Sequence, residues 1–353
     1  MSQLNSRILA FSQLGTFLSQ FTTKGIIKKE GIPHNDLFFD AFKMQVERAY
    51  QFNGWFTKEN VLYSCEGWHK SLTENNLNNF SSSTKLCDIT PKKVAIVMAG
   101  NIPLVGFHDF LSVLISGHSV LVKQSSNDKH LLPILAKYLQ YVNKDLKNKI
   151  TFCEGKLEGF DAVIATGSDN TARYFEHYFG RYPSIVRKSR NSVAVLTGKE
   201  TDEELSNLSD DIFTYFGLGC RSVSKIFVPK DYNFDKLFNA VFKHKDIINN
   251  AKYANNYDYN KAVYLMSLFD LLENGFLMLK EDKSYSSPIS SLFYENYEDL
   301  EDLKKQFISD SDLIQCVVAN GFMDNEIMFG ETQKPKLTDY ADGVNTLSFL
   351  ANL

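Results

Sequence analysis

The chain has 353 residues, of which 44% are hydrophobic and 23% charged, and its formal net charge is -4. That length buries a sizeable core and predicts two domains, with the composition of an ordinary soluble globular protein. The slight excess of acid excludes a broad basic face, so nucleic acid is not an expected partner.

In chain order, roughly the first 75 residues read as helical: Ile8, Leu9, Phe17, Leu18 and Phe21 recur near helical spacing, as do Phe38, Phe42, Val46 and Ala49. Asn53-Gly54 breaks the pattern, and Thr57 is placed to cap a helix through Val61 and Leu62. Residues 75–91, rich in Asn and Ser, read as a linker or extended connection.

From Lys92 the texture changes. Val94-Ala95-Ile96-Val97-Met98 is a short apolar strand that ends at Ala99-Gly100-Asn101, and Pro103 is placed to open a helix through Leu104, Phe107, Leu111 and Leu114. Gly117 stops that helix. Strands follow at Ser119-Val120-Leu121-Val122, which runs out on Lys123, at Ile150-Thr151-Phe152, at Ala162-Val163-Ile164-Ala165 and at residues 192–196, with helices at residues 131–142 and through Phe175. Nearly all-apolar strands alternating with helices predict a parallel sheet covered on both faces. Ligands of such sheets bind beyond the carboxyl ends of the strands. The residues there are Gly100-Asn101, Lys123-Gln124-Ser125-Ser126 and Thr166-Gly167-Ser168. A further helix at residues 202–215 has an acidic first turn, which suits the helix dipole, and leads into Phe216-Gly217-Leu218-Gly219-Cys220. A strand at residues 224–228 and a mixed segment to about Gly330 complete the second half.

The five cysteines (Cys65, Cys87, Cys153, Cys220 and Cys316) are scattered and form no CxxC pair, which argues against a disulfide framework and against zinc. Reduced thiols fit the cytoplasm. The first 24 residues lack the features of a signal peptide, and no apolar run is long enough for an integral membrane segment. The 28 Phe and 17 Tyr predict an aromatic core rather than a tunnel for a greasy substrate.

Four places could carry chemistry. Cys220, flanked by Gly217 and Gly219 with Arg221 and Lys225 nearby to favour thiolate, is a candidate nucleophile; the alternative is a buried structural cysteine. Asn101 could donate its amide N–H to an oxyanion, or cap a helix. Lys123 could reach a ribose or phosphate, or simply end its strand in solvent. Gly167 and Ser168 open a helix whose free N–H groups suit a phosphate, although the usual GxGxxG fingerprint is absent. His108, His118 and His177 have no metal-ligand spacing and read as structural or surface residues.

Taken in order, the Asn-x-Pro after a strand, the lysine ending the next, Thr-Gly-Ser at a helix start and Gly-x-Gly-Cys resemble the aldehyde dehydrogenase superfamily. The stretches Val94 through Pro103, Tyr215 through Lys225 and Asp339 through Val344 are similar to the LuxC-like fatty acyl-CoA reductases of bacterial bioluminescence systems. The resemblance implies an α/β fold, aldehyde-dehydrogenase-like, with a parallel Rossmann-type sheet domain and a second α/β catalytic domain. We place the N-terminal helices and NAD(P)-binding domain at residues 1–195, and the catalytic cysteine domain with a C-terminal interface tail at 196–353. It implies that Cys220 attacks a thioester carbonyl, that Asn101 and the Cys220 backbone N–H hold the oxyanion, that Lys123 contacts the adenosine side of the cofactor, and that Gly167 and Ser168 lie against its pyrophosphate.

Two departures refine this. Val186 stands where hydrolytic relatives carry the glutamate that activates water, so an acyl-enzyme here should wait for hydride or CoA. Ser126 stands where an acidic residue often holds the adenosine ribose, so NADPH is the first choice of cofactor, with NADH the alternative. The glutamate near the nicotinamide ribose has no counterpart at residues 284–288. The expected activity is NADPH-dependent reduction of acyl-CoA to aldehyde. An NAD(P)-dependent aldehyde dehydrogenase and a non-catalytic scaffold relative are the alternatives. The resemblance also implies a homo-oligomer, with an apolar C-terminal run that suits an interface, and leaves open whether the enzyme works alone or hands intermediates to an acyltransferase or synthetase partner, as the bioluminescence relatives do.

Overall fold

The computed structural model describes residues 3–86 and 89–353. Cys87 lies outside the described residues. The chain divides into two units, Met1–Lys188 with Lys336–Leu353, and Ser189–Pro335. The division expected after residue 195 is thus corrected at both ends, because the strand at 191–195 pairs with the second sheet and the C-terminal tail returns to the first unit.

The first unit opens with α1 (Gln3–Leu18), the two-residue strands β1 (Phe21–Thr22) and β2 (Gly25–Ile26), α2 (Asn35–Phe52), α3 (Lys58–Ser71) and α4 (Glu74–Ser82). The Thr57 side chain accepts from Asn60 N and caps α3 as expected. The segment read as a linker holds α4. Thr73 caps it, and its sparse apolar residues, Leu77 and Phe80, fall on one buried face. Five parallel strands follow, interleaved with helices: β3 (Lys93–Val97), α5 (Phe107–Ser116), β4 (Ser119–Lys123), α6 (Leu131–Val142), β5 (Ile150–Phe152), β6 (Ala162–Thr166), α7 (Asp169–Phe179) and β7 (Ser184–Arg187). The order across the sheet is β5-β4-β3-β6-β7. The chain steps outward from β3 to β5, then returns to the other side of β3. This reversal opens a crevice beyond the carboxyl ends of β3 and β6. The helix expected from Pro103 begins only at Phe107, because Leu104 takes a left-handed φ of 58° that no helix accepts. Phe11, Phe17, Phe21, Phe42 and Phe110 sit in one core, with Phe17 stacked on Tyr138 at 4.8 Å, as the aromatic composition predicted.

The second unit comprises β8 (Asn191–Val195), α8 (Asp202–Phe213), β9 (Val223–Pro229), α9 (Asp235–Val241), α10 (Ala251–Met266), β10 (Leu272–Glu273), β11 (Met278–Glu281), β12 (Ser291–Tyr297), α11 (Leu300–Ser309) and β13 (Ile314–Val318). Its sheet runs β10-β11-β12-β9-β8-β13, parallel except for β10. A capping box between Thr201 and Glu204 starts α8.

The tail ends in α12 (Thr346–Ala351). Leu347 and Leu350 are fully buried in the first unit's own core, so these two cannot supply the intermolecular interface expected of the apolar run. Two histidines fasten the tail. His108 Nε2 meets Leu337 O at 2.8 Å. His118 Nδ1 accepts from Lys92 N, which leaves its Nε2–H to donate to Leu350 O at 2.9 Å. Burial lowers the pKa of both rings and favours these neutral forms.

Candidate active site

Cys220 lies in the turn that feeds β9, at the amino end of the second sheet, and is exposed. The buried structural alternative is excluded. Three consecutive residues ahead of it are left-handed, Tyr215 (φ 57°), Phe216 (φ 59°) and Gly217 (φ 74°). Glycine takes this conformation freely, whereas the two aromatics are strained there and must be held by their surroundings. Strain of this kind concentrates at functional turns, and the sequence signalled it only at the glycine. Among the bonds that brace the turn, Ser192 Oγ donates to Cys220 O at 2.9 Å, Ser222 N to Gly219 O at 2.9 Å and Leu218 N to Tyr215 O at 3.1 Å.

The basic neighbours behave differently from the sequence expectation. Lys225 points into the core with a fully buried side chain, donates to Glu295 Oε2 and Lys283 O, and so cannot serve the thiol. Arg221 donates through Nε to Thr332 O at 2.5 Å. Thr332 is itself fixed by Asp211, whose carboxylate accepts from Gly330 N at 2.6 Å, Thr332 N at 3.0 Å and Thr332 Oγ1 at 2.7 Å. Burial raises the Asp211 pKa, and these three donors oppose that rise. Asp211 and Thr332 thus position Arg221 beside Cys220. Neither could be singled out in sequence, since they stand 121 residues apart.

In the first unit the predicted residues gather at the carboxyl ends of the strands. Asn101 follows β3 and is exposed. The residue that caps α5 is Gly106, so helix capping is excluded as the role of Asn101. Gly100 allows a close approach of two loops: a Cβ there would lie 2.6 Å from Ser125 Cβ. Lys123 ends β4, and its Nζ donates to Gly155 O at 3.0 Å, so it is neither free in solvent nor committed to a carboxylate. Ser126 is exposed in the next turn. Gly167 and Ser168 lie between β6 and α7, and the Ser168 side chain caps α7 by accepting from Thr171 N. A Cβ at Gly167 would press on the Thr171 and Phe175 side chains of α7 at 3.0 to 3.1 Å, so glycine lets the chain pass close to the helix start. Asn101 and Gly167-Ser168 thereby flank the β3/β6 crevice, with a helix N-terminus directed at it. These features fit a dinucleotide.

Among the described residues, no group of three or more His, Cys, Asp or Glu could hold a metal, and no helix is long and apolar enough to cross a membrane.

Residues 61–254, more than half of the chain, match the acyl-CoA reductase (LuxC) family. The chain belongs to that family. The match spans Asn101, Lys123, Ser126, Gly167, Ser168 and Cys220 together. A long-chain acyl-protein thioester reductase of Aliivibrio fischeri is 23% identical over 211 residues, which is 55% of this chain and 44% of that protein. The LuxC-family chain therefore matches less than half the length of this curated relative. Among solved structures, aldehyde dehydrogenase 21 of Physcomitrella patens, in complex with the product succinate, superimposes with a TM-score of 0.64 at 11% identity, covering 90% of this chain and 73% of that one. The Mycobacterium tuberculosis aldehyde dehydrogenase complexed with NAD+ gives 0.59 at 13%, over 90% and 73%. The fold is the two-domain aldehyde dehydrogenase fold, as the sequence implied.

Proposed function

We propose that the chain is an acyl-thioester reductase that forms an acyl-enzyme on Cys220 and releases an aldehyde. The observation that carries this reading is the exposed thiol of Cys220 at the end of a strained left-handed turn in a LuxC-family chain. The second unit supplies the nucleophile. The Cys220 thiolate attacks the thioester carbonyl, Asn101 and the Cys220 N–H stabilise the oxyanion, and the C–S bond to the donor breaks as its thiolate leaves. The first unit supplies the cofactor groups: Lys123 and Ser126 for the adenosine side, Gly167 and Ser168 for the pyrophosphate. NADPH held by these residues would supply the hydride that reduces the acyl carbon. Asn101 again holds the oxygen as it becomes negative, and collapse returns the thiolate of Cys220 with the aldehyde. Val186 offers no carboxylate to activate water, which favours this course over an aldehyde dehydrogenase making free acid. The exposed hydroxyl of Ser126 carries no charge to repel a 2′-phosphate, which favours NADPH over NADH.

The donor is an acyl-CoA or, as with the Aliivibrio fischeri relative, an acyl-protein thioester. Intact-mass spectrometry after incubation with acyl-CoAs of graded length tests the reading. We expect one acyl adduct, absent from Cys220→Ala, that NADPH discharges as aldehyde. Undiminished aldehyde production by Cys220→Ala would end it.

A further inference from the structure

The loop at residues 99–106, which carries Asn101, is held from several sides. Asn53 Nδ2 donates to Gly100 O at 3.5 Å and to Asn127 O at 3.4 Å, and Ser64 Oγ donates to Pro103 O at 2.9 Å. Leu104, left-handed and buried, donates its N–H to Asp128 Oδ2 at 2.9 Å. A non-glycine residue persists in that conformation only where its surroundings fix it. The other carboxylate oxygen, Asp128 Oδ1, is buried and has no hydrogen-bond partner. Asp128 lines a cavity of about 10 Å³ together with Met98, Ala99, Leu104, Phe107 and Gln124, among others, room for about one water. Buried carboxylates are seldom left half-satisfied without a reason.

We propose that Asp128 is a positioning residue, a carboxylate latch that fixes the left-handed turn at Leu104 and, through it, Asn101 at the carboxyl end of β3. As a carboxylate it accepts a charge-assisted bond from Leu104 N, stronger than a neutral acceptor would make. On protonation the acceptor weakens and the new O–H faces a largely apolar cavity, so the latch loosens. Burial raises the Asp128 pKa to about 6, which puts the change within working pH. The titratable group facing it from α3 is the Cys65 thiol, which burial and the carboxylate's own charge push up and keep protonated. Leu104 and Phe107, Gln124, and Leu132 of α6 face it uncharged. On its own loop, Lys129 follows, and the His130 ring is stacked on Phe52 at 3.8 Å.

The inference rests on Asn101 having the role proposed above, and the test separates the two. Both tryptophans border the loop: Trp68 packs on Phe107 with ring centroids 4.6 Å apart, and Trp55 N donates to Asn53 Oδ1. Intrinsic fluorescence of the full chain between pH 4.5 and 8 should show a transition near pH 6 that Asp128→Asn abolishes. Asp128→Ala should lower kcat by roughly 10- to 100-fold with little change in KM for NADPH, the scale of a small misplacement near the chemistry. Asp128→Asn, which keeps an acceptor for Leu104, should recover most of that loss and flatten the acid limb of the kcat profile. A wild-type signal with no transition, or one that persists in Asp128→Asn and so belongs to another group, overturns the latch. If the fluorescence behaves as stated and Asn101→Ala leaves turnover unchanged, the latch stands and the role of Asn101 falls.

Discussion

The two units are both built on parallel sheets and both bury a cation, but they hold it in different places. In the first unit the Arg187 guanidinium, at the end of edge strand β7, meets both oxygens of Asp109, at 2.7 and 3.4 Å, and also donates to Ala341 O and Thr346 Oγ1. The pair ties the sheet edge to α5 and to the returning tail. In the second unit Lys225 stands inside β9, in the middle of the sheet. It is bonded to Glu295 on β12 and lies over the rings of Phe227 and Tyr285 at 4.7 and 5.0 Å. A guanidinium stays charged at any pH the fold survives, whereas an ammonium escapes burial by losing its proton. Asp128 makes a third case, a buried anion with one bond and an escape by gaining a proton.

The largest effect is therefore expected at Arg187. Asp109→Ala leaves a guanidinium buried without its counter-ion, which costs about 3–5 kcal/mol. Urea unfolding should show the loss, and hydrogen exchange in the tail should rise with it. An Asp109→Leu, Arg187→Met double variant should recover much of the loss, since replacing both charges is milder than stranding one. A loss under 1 kcal/mol in Asp109→Ala would mean that the tail docks independently of the pair.

Asp128 comes next. Its folded-state pKa, about 6, lies above the ordinary 3.8, so the folded state binds a proton more tightly than the unfolded one. Stability from this group is fully present below about pH 4 and is lost as pH rises toward 6, by about 3 kcal/mol at most. The stability of Asp128→Asn relative to the native chain should accordingly climb across that window and level off above it. A difference that is flat with pH would show the carboxyl titrating near its unfolded value.

Glu295→Ala should cost less, about 2 kcal/mol, because Lys225 keeps Lys283 O and has its deprotonated form available. Burial already lowers the Lys225 pKa, and Glu295 is the first group opposing that. Without Glu295 the folded pKa falls further below the unfolded one. The penalty then shrinks as pH rises through the new folded value toward the unfolded one. A defect unchanged at pH 10 would contradict this.

The same contrast explains what could be read from sequence. The first sheet's strands are nearly unbroken apolar runs, and four of them stand where their residues put them. So do Asn101, Lys123 and Gly167, because ends of apolar strands are easy to locate. The second sheet hides Lys225 and Lys280 among its strands, the first paired with Glu295 on β12 and the second with Asp282 two residues on. Polar residues break its later strands, Lys280 in β11, Glu295-Asn296 in β12 and Gln315 in β13, and the segment read as mixed. The strand at 191–195 was legible, but its partner, β9, lies beyond a helix and a turn. Nothing local told which sheet it joins. Asp128 and Asp211 were invisible for the same reason: an acid is notable only once its burial is known. The helix α4 was missed because two apolar residues among asparagines and serines give little periodicity, yet two suffice when both are buried.

The smallest predicted effect separates the two units functionally. If the first unit selects the cofactor and the second carries the acyl group, a change at Ser126 should alter one without the other. With Ser126 on the adenosine side as proposed, Ser126→Asp would set a carboxylate beside the ribose, an acceptor for its hydroxyls. Repulsion disfavours NADPH, and hydrogen bonds to the free hydroxyls favour NADH. An exposed site in high dielectric limits the switch to about tenfold in the ratio of kcat/KM, about 1.4 kcal/mol. Acyl-enzyme formation by Cys220, measured by mass without cofactor, should be unchanged. Should Ser126→Asp slow acylation while leaving the cofactor ratio alone, Ser126 would belong to the acyl donor's path, and the division of labour between the units would have to be redrawn around it.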